Sequence, residues 1–293
     1  MVEETDVDGR INVVTQTAAT QMSFDLSPRL NLNLGGAARR LAYGDGDTAP
    51  ENELARRQDR DEILLSASLD RRMTLKTSLG LFAGLRRSDF QSASSFRDND
   101  RFRGGLRVVF GERGTTLLNR TVQGGSEPLE GAIESGVEII DLAAEGRDDF
   151  SGLFARGVLR FGVRPKLGVW AGGEARSTPT FWQNNTYAIN RGVGTGVDFP
   201  LVAGVTAGLF VDYTRIRYPE LATFTQDDGT IFTGIREDNL LLYRGLLSVP
   251  IFGTRIGITG GWFDRRSNFD IATNRGYFLR IGLGTSFAIN ERI

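Results

Sequence analysis

Residues 73–85, MTLKTSLGLFAGL, decide the fold. The odd positions are Leu75, Thr77, Leu79, Leu81, Ala83 and Leu85. The even ones are Thr74, Lys76, Ser78, Gly80 and Gly84, with Phe82 the one apolar exception. Successive side chains leave a strand on opposite sides, so this run predicts one apolar face and one small, polar, once-charged face. A strand of a soluble sandwich has the same pattern, and the stretch alone does not say which side is dry.

The pattern recurs in both directions. Met22, Phe24 and Leu26 alternate with Gln21, Ser23 and Asp25, and Leu30, Leu32 and Leu34 with Asn31, Asn33 and Gly35. Phe102, Leu106, Val108 and Phe110 oppose Arg101, Arg103 and Arg107. Leu153, Ala155, Leu159, Phe161 and Val163 oppose Arg156 and Arg160. Leu201–Tyr213 and Tyr277–Ile289 continue the alternation. Read from Arg10, the chain gives thirteen strands, with Thr115–Gln123 as the sixth. All eight prolines fall in the expected connectors, consistent with proline's exclusion from central ladders. Short and long connectors alternate, which is how transmembrane barrels segregate turns from loops.

The expectation is therefore all-β: a transmembrane antiparallel up-and-down β-barrel of 12–14 strands, with short periplasmic turns and long extracellular loops. Bacterial single-chain barrels have even strand numbers, which favours fourteen. Glu134–Glu145, or a strand before residue 1, would supply the extra one. The domain reading is a single barrel over residues 11–293 after an acidic segment, 1–10.

Composition agrees. No run approaches 18 apolar residues, which excludes a helical membrane protein but not a barrel, where only alternate residues face lipid. Lys+Arg (35) and Asp+Glu (36) balance, and the basic residues are scattered, so nucleic acid is not an expected partner. There is no Cys, which removes disulfides and thiolate chemistry. No His is present either, so no Ser–His, Asp–His or histidine-metal centre can be built, and an enzyme is not expected. No cofactor is implied. MVEETDVDGR lacks an apolar core and is not a signal peptide, so an exported protein requires that signal to have been removed or left out.

Two candidate sites emerge. A row of cations falls on the polar faces: Lys76, Arg103, Arg107, Arg156, Arg160, Arg176, Arg244, Arg255 and Arg280. On the lipid side each would cost about 2–4 kcal/mol near the midplane, so they are expected to line the lumen or its rim. There they either favour anionic solutes or pair with Asp212, Glu174 and other carboxylates. The second site is Ser126–Gly146. Glu134, Glu138, Asp141 and Glu145 fall at helical spacing, as do Ile133, Val137, Ile140 and Ala144, with Pro128 early and Gly146 as a stop. This predicts a short acidic helix forming a constriction, with an outer loop or a strand extension as the alternative. Asp227-Asp228 and Asp98 with Asp100 read as solvated loop charge. Phe24, Tyr43, Phe161, Tyr213, Tyr218, Tyr243, Trp262 and Tyr277 lie toward strand ends, as interfacial girdles do.

The tail carries a family likeness. Arg265-Arg266-Ser267-Asn268 at a hairpin tip, then the alternating strand from Tyr277 to Phe287, resembles the closing hairpin of Gram-negative outer-membrane barrels. It is similar to those called porin-2-like, associated with exopolysaccharide loci, and to the barrels of surface-protein assembly modifiers. The terminal Phe of such barrels would be Phe287, here followed by Ala288–Ile293. The resemblance implies a bacterial outer-membrane location, with outer-membrane lipid, lipopolysaccharide and the barrel-assembly machinery as partners. It implies a passive pore or export channel for polar solutes or glycans, anionic ones included. The alternative is a non-conducting surface-assembly or adhesion barrel whose outer loops bind a partner.

Overall fold

The computed structural model describes residues 13–43, 59–90, 98–111, 128–143, 149–164, 167–179, 185, 187–202, 204–225, 231–251, 254–269 and 272–285. They form β1 (Val13–Ser27), β2 (Leu30–Tyr43), β3 (Arg60–Arg72), β4 (Thr77–Phe90), β5 (Asn99–Phe110), β6 (Leu129–Leu142) and β7 (Phe150–Arg164). β8 (Leu167–Pro179), β9 (Tyr187–Pro200), β10 (Thr206–Thr225), β11 (Ile231–Ile251), β12 (Thr254–Ser267) and β13 (Asn274–Thr285) follow. Each strand pairs antiparallel with its sequence neighbours, giving one thirteen-stranded up-and-down sheet. Its end strands β1 and β13 have no described ladder to each other.

Three expectations are corrected. The helix expected in Ser126–Gly146 is strand β6. Acidic residues four apart share a face of a helix, but four is also even, so Glu134 and Glu138 share a face of a strand just as well. Tertiary pairing decides, because register sets Glu138 opposite Arg103 and Glu134 opposite both Arg107 and Arg156. Thr115–Gln123, the expected sixth strand, lies outside the described residues. Second, connector lengths do not alternate throughout, since residues 111–128 join β5 to β6 at the end where the other connectors are short. Third, not every proline lies in a connector. Pro179 and Pro200 close β8 and β9, Pro250 is next to last in β11, and Pro219 sits within β10. There the β10–β11 register slips between Arg217 and Leu221, and such a bulge tolerates the missing donor. β10 and β11 thus run on either side of residues 226–230 and include Pro219 and Asp238.

The sheet curls strongly. One face of this single sheet is covered, with Glu138 0% and Arg160 2% exposed, and the Phe82 and Phe154 rings of β4 and β7 meet there at 5.8 Å. Inside the curve lie the even positions of β3, β4 and β6 to β11 and the odd positions of β5; they carry most of the buried polar and charged residues. The other face carries exposed Leu79, Leu81, Leu85, Leu106, Ile133, Val137, Leu209 and Tyr243. The deciding stretch is oriented accordingly, with Ser78, Gly80 and Gly84 inward and Leu81, 58% exposed, outward. Its first residues are a turn rather than strand, for the Met73 N–H donates to the Thr77 carbonyl at 2.9 Å. At the opposite end Asp98 joins β4 to β5, accepting from the Phe90 N–H at 2.6 Å. Partial burial, with Asp89 nearby, raises its carboxyl above the ordinary range despite that bond.

Candidate functional site

The strand register builds a charged inner surface. One cross-strand row runs Asp70, Gly80, Arg107, Glu134, Arg156, Glu174 from β3 to β8, alternating in sign around the glycine. Gly80 is needed there: a Cβ would strike the Asp70 carboxylate and the Leu69 carbonyl. Across it Arg107 Nε donates to Asp70 Oδ1 at 2.7 Å, and Asn33 donates to the other oxygen at 2.9 Å. Arg156 Nε donates to Glu134 Oε2 at 2.6 Å. Arg176 Nε lies 3.1 Å from Glu174 Oε2.

Toward the turn end, Arg160 grips Asp198 with two donors, at 2.8 and 3.0 Å, and Trp170 donates to the same carboxylate. Gly168 lies beneath this pair, and any side chain there would meet the Asp198 carboxylate and the Arg160 guanidinium. Both ends are buried and held, so neither can swing aside. Gly168→Leu is expected to destabilise the protein by about 1–3 kcal/mol, as overpacked interiors do. The urea midpoint in detergent micelles reads this directly, and an unchanged midpoint would refute the packing argument. On β10 and β11, Arg244 donates to Asp212 Oδ2 at 2.6 and 3.1 Å and lies over the Phe210 ring.

Toward the loop end, Glu62 meets three arginines. Arg60 Nε donates at 2.7 Å, Arg86 also donates, and Arg39 lies at 3.7 Å. Glu138 accepts from Arg103 Nε at 3.2 Å and from the Ser177 N–H at 3.1 Å, with Arg101 at 3.7 Å. Asp238 takes two donors from Arg236, at 2.9 and 2.6 Å, and lies 3.8 Å from Arg265. Burying such pairs is not in itself a gain in stability, because desolvation offsets most of the attraction. Their effect is to hold guanidinium groups in fixed positions inside the curve.

Of the residues singled out from sequence, Arg103, Arg107, Arg156, Arg160, Arg176 and Arg244 lie on this inner surface, each beside a carboxylate. Asp212 and Glu174, the carboxylates named under the pairing alternative, meet Arg244 and Arg176 respectively. Glu134 and Glu138 join them as strand residues. Lys76 does not: it is exposed in the turn between β3 and β4. Asp141 points outward from β6, and Glu145 lies outside the described residues. Arg255 pairs with Pro250 and Gly284 at the turn end of β12. Arg280 is exposed on end strand β13, over Phe278. The two candidate sites leave out Arg60, Arg86, Arg101, Arg236, Arg265, Glu62, Glu130, Asp198 and Asp238, which are also on the inner surface. Strand parity alone marks Arg86 and Arg101 as inward; Arg60 and Arg236 lie beyond the alternating runs that the sequence shows. Among the described residues no group of three or more carboxylates is placed to hold a metal ion.

No family model matches this chain, and no curated protein does. Among solved structures it is similar to the FrpB iron transporter from Neisseria meningitidis (F5-1 variant, apoprotein form), with TM-score 0.43 and 10% identity. That alignment covers 86% of this chain and 45% of the transporter. It is also similar to the siderophore receptor PirA from Acinetobacter baumannii, with TM-score 0.33 and 7% identity, over 88% of this chain and 54% of the receptor. The chain thus spans about half the length of these structures, and similarity at this level speaks to neither ligand nor mechanism.

Proposed function

We propose that this chain is a transmembrane β-barrel of a bacterial outer membrane and provides a path for polar solutes along its charged inner surface. The observation that carries the reading is inverted burial: ion pairs inside, leucines outside. In water each outward leucine forgoes about 1.5–3 kcal/mol of burial, and a soluble fold would not repeat that loss strand after strand. In lipid the same face is matched to its solvent. Tyr243 and Trp262, opposite one another on the outer side with tilted rings 5.6 Å apart, suit an interfacial position. On this reading the partners are outer-membrane lipid, lipopolysaccharide and the barrel-assembly machinery. The cargo is a polar solute or glycan, and the chain is not an enzyme.

The pairing of inner arginines with carboxylates favours a second reading, a non-conducting barrel whose outer loops bind a partner in surface assembly or adhesion. Planar-bilayer recording separates the two. Purified, folded protein is expected to give discrete conductance steps. A folded protein that inserts into the bilayer and never conducts would replace the first reading with the second.

A further inference from the structure

Register places Arg86 of β4 directly opposite Arg101 of β5, both facing inward. Like charges opposed across a ladder repel, and chains avoid the arrangement unless something holds it. The local carboxylates do not neutralise it. Glu62, beside Arg86, is shared with Arg60 and Arg39. Glu138, beside Arg101, is shared with Arg103. Arg101 also reaches β8, where its Nη1 donates to the carbonyl of Ser177, the residue after Arg176, at 3.4 Å. Near the loop end of β4–β8, the inner surface therefore holds Arg86, Arg101, Arg103 and Arg176 against Glu138 and Glu174, with Glu62 shared between Arg86 and β3. Further along the same strands charge is balanced, with Arg107, Arg156 and Arg160 meeting Asp70, Glu134 and Glu130.

A second observation concerns individual atoms. Arg101 is 6% exposed, yet its Nε has no hydrogen-bond acceptor among the described residues. The Nε of Arg86, opposite, has none either. Two buried guanidinium donors on facing side chains, amid surplus positive charge, call for an acceptor carrying negative charge.

We propose that Arg86 and Arg101, flanked by Arg103 and Arg176, form an oxyanion-binding site on the inner surface near the loop end. It takes the phosphate, sulfate or carboxylate group of a polar solute, whose oxygens match the guanidinium fork. This rests on the inner surface being a solute path, and it makes that path selective for anions, as arginine-lined pores are. A solute entering from the loop end meets the surplus arginines before the balanced pairs.

The test is equilibrium binding to the full chain folded in detergent micelles, with inorganic phosphate and galacturonate as separate probes. Saturable binding of either probe is expected, and the stronger one tells whether phosphate or sugar carboxylate is preferred. Arg86→Gln and Arg101→Gln should each weaken binding about tenfold or more, the scale of one lost charge-assisted bond. Arg87→Gln, one residue along and outward, should not change it. Folding is checked by gel mobility without heating; if Arg101→Gln does not fold, Arg101→Lys, which keeps the charge and loses the fork, and Arg86→Gln decide. Binding of neither probe, or unaltered binding by the folded variants, overturns the site. The measurement needs no conductance, so the two readings fail separately. A protein that conducts without binding loses this site only, and one that binds without conducting loses only the path.

Discussion

Glu138→Ala is expected to destabilise the fold by about 3–5 kcal/mol, the loss seen when one member of a buried ion pair is removed. Glu138 is 0% exposed and is the common acceptor for two other strands. It takes bonds from Arg103 of β5 and from both the backbone and the hydroxyl of Ser177 on β8, while itself on β6. Its removal leaves Arg101 and Arg103 side by side with no carboxylate between them, and two Ser177 donors without their acceptor. Charge repulsion and unmet donors then act together, and each is more costly away from water. Glu138→Gln keeps an acceptor for Ser177 and should lose less. Glu237 provides the contrast. It pairs with Arg215 at 2.5 Å at an exposed position, and Glu237→Ala should stay within about 1 kcal/mol of the parent. Urea titration of folded protein in vesicles, followed by tryptophan fluorescence, ranks the three. If Glu138→Ala matched Glu237→Ala, the inner network would be ornamental to stability.

How far the sequence reads on its own differs between strand and site. Alternation identified nearly every strand, and with it the side on which Arg103, Arg156 and Arg244 would lie, because a period of two is local. Lys76 shows the limit: its parity was right, but the strand begins one residue later, where a backbone bond closes the turn. β6 shows another limit, since a four-residue acidic spacing satisfies helix and strand alike, and only the arginines on both neighbours choose between them. Partnerships were harder still. That Arg86 faces Arg101 depends on register, and register depends on how the intervening connector closes. The Arg160–Asp198 pair spans β7 to β9 across a glycine, and nothing local in either strand announces it. Parity is written in the chain, whereas opposition is a property of the sheet.

Leu81→Arg should cost about 2–4 kcal/mol, because it places a charge on the outward face near the middle of a strand. Leu81 is on β4, aligned with Leu69 and Leu106 on the neighbouring strands, and all three are exposed. The sign of the result depends entirely on the medium. If that face met water, arginine would replace an exposed leucine at little cost, within about 0.5 kcal/mol, as for ordinary surface changes. If it meets lipid, the guanidinium must be carried into hydrocarbon or drawn toward the interface with local thinning of the bilayer. Leu75→Arg is the matched control. Leu75 is 92% exposed but sits in the turn between β3 and β4, outside the strands, and its replacement should change stability by no more than about 1 kcal/mol. Measured in bilayers of one lipid, the difference between the two variants reports depth rather than charge. Lengthening the lipid acyl chains should bury strand position 81 more fully and widen the gap. An indifferent Leu81→Arg, in a protein shown to be folded and inserted, would return the leucine face to water and remove the ground for a membrane path.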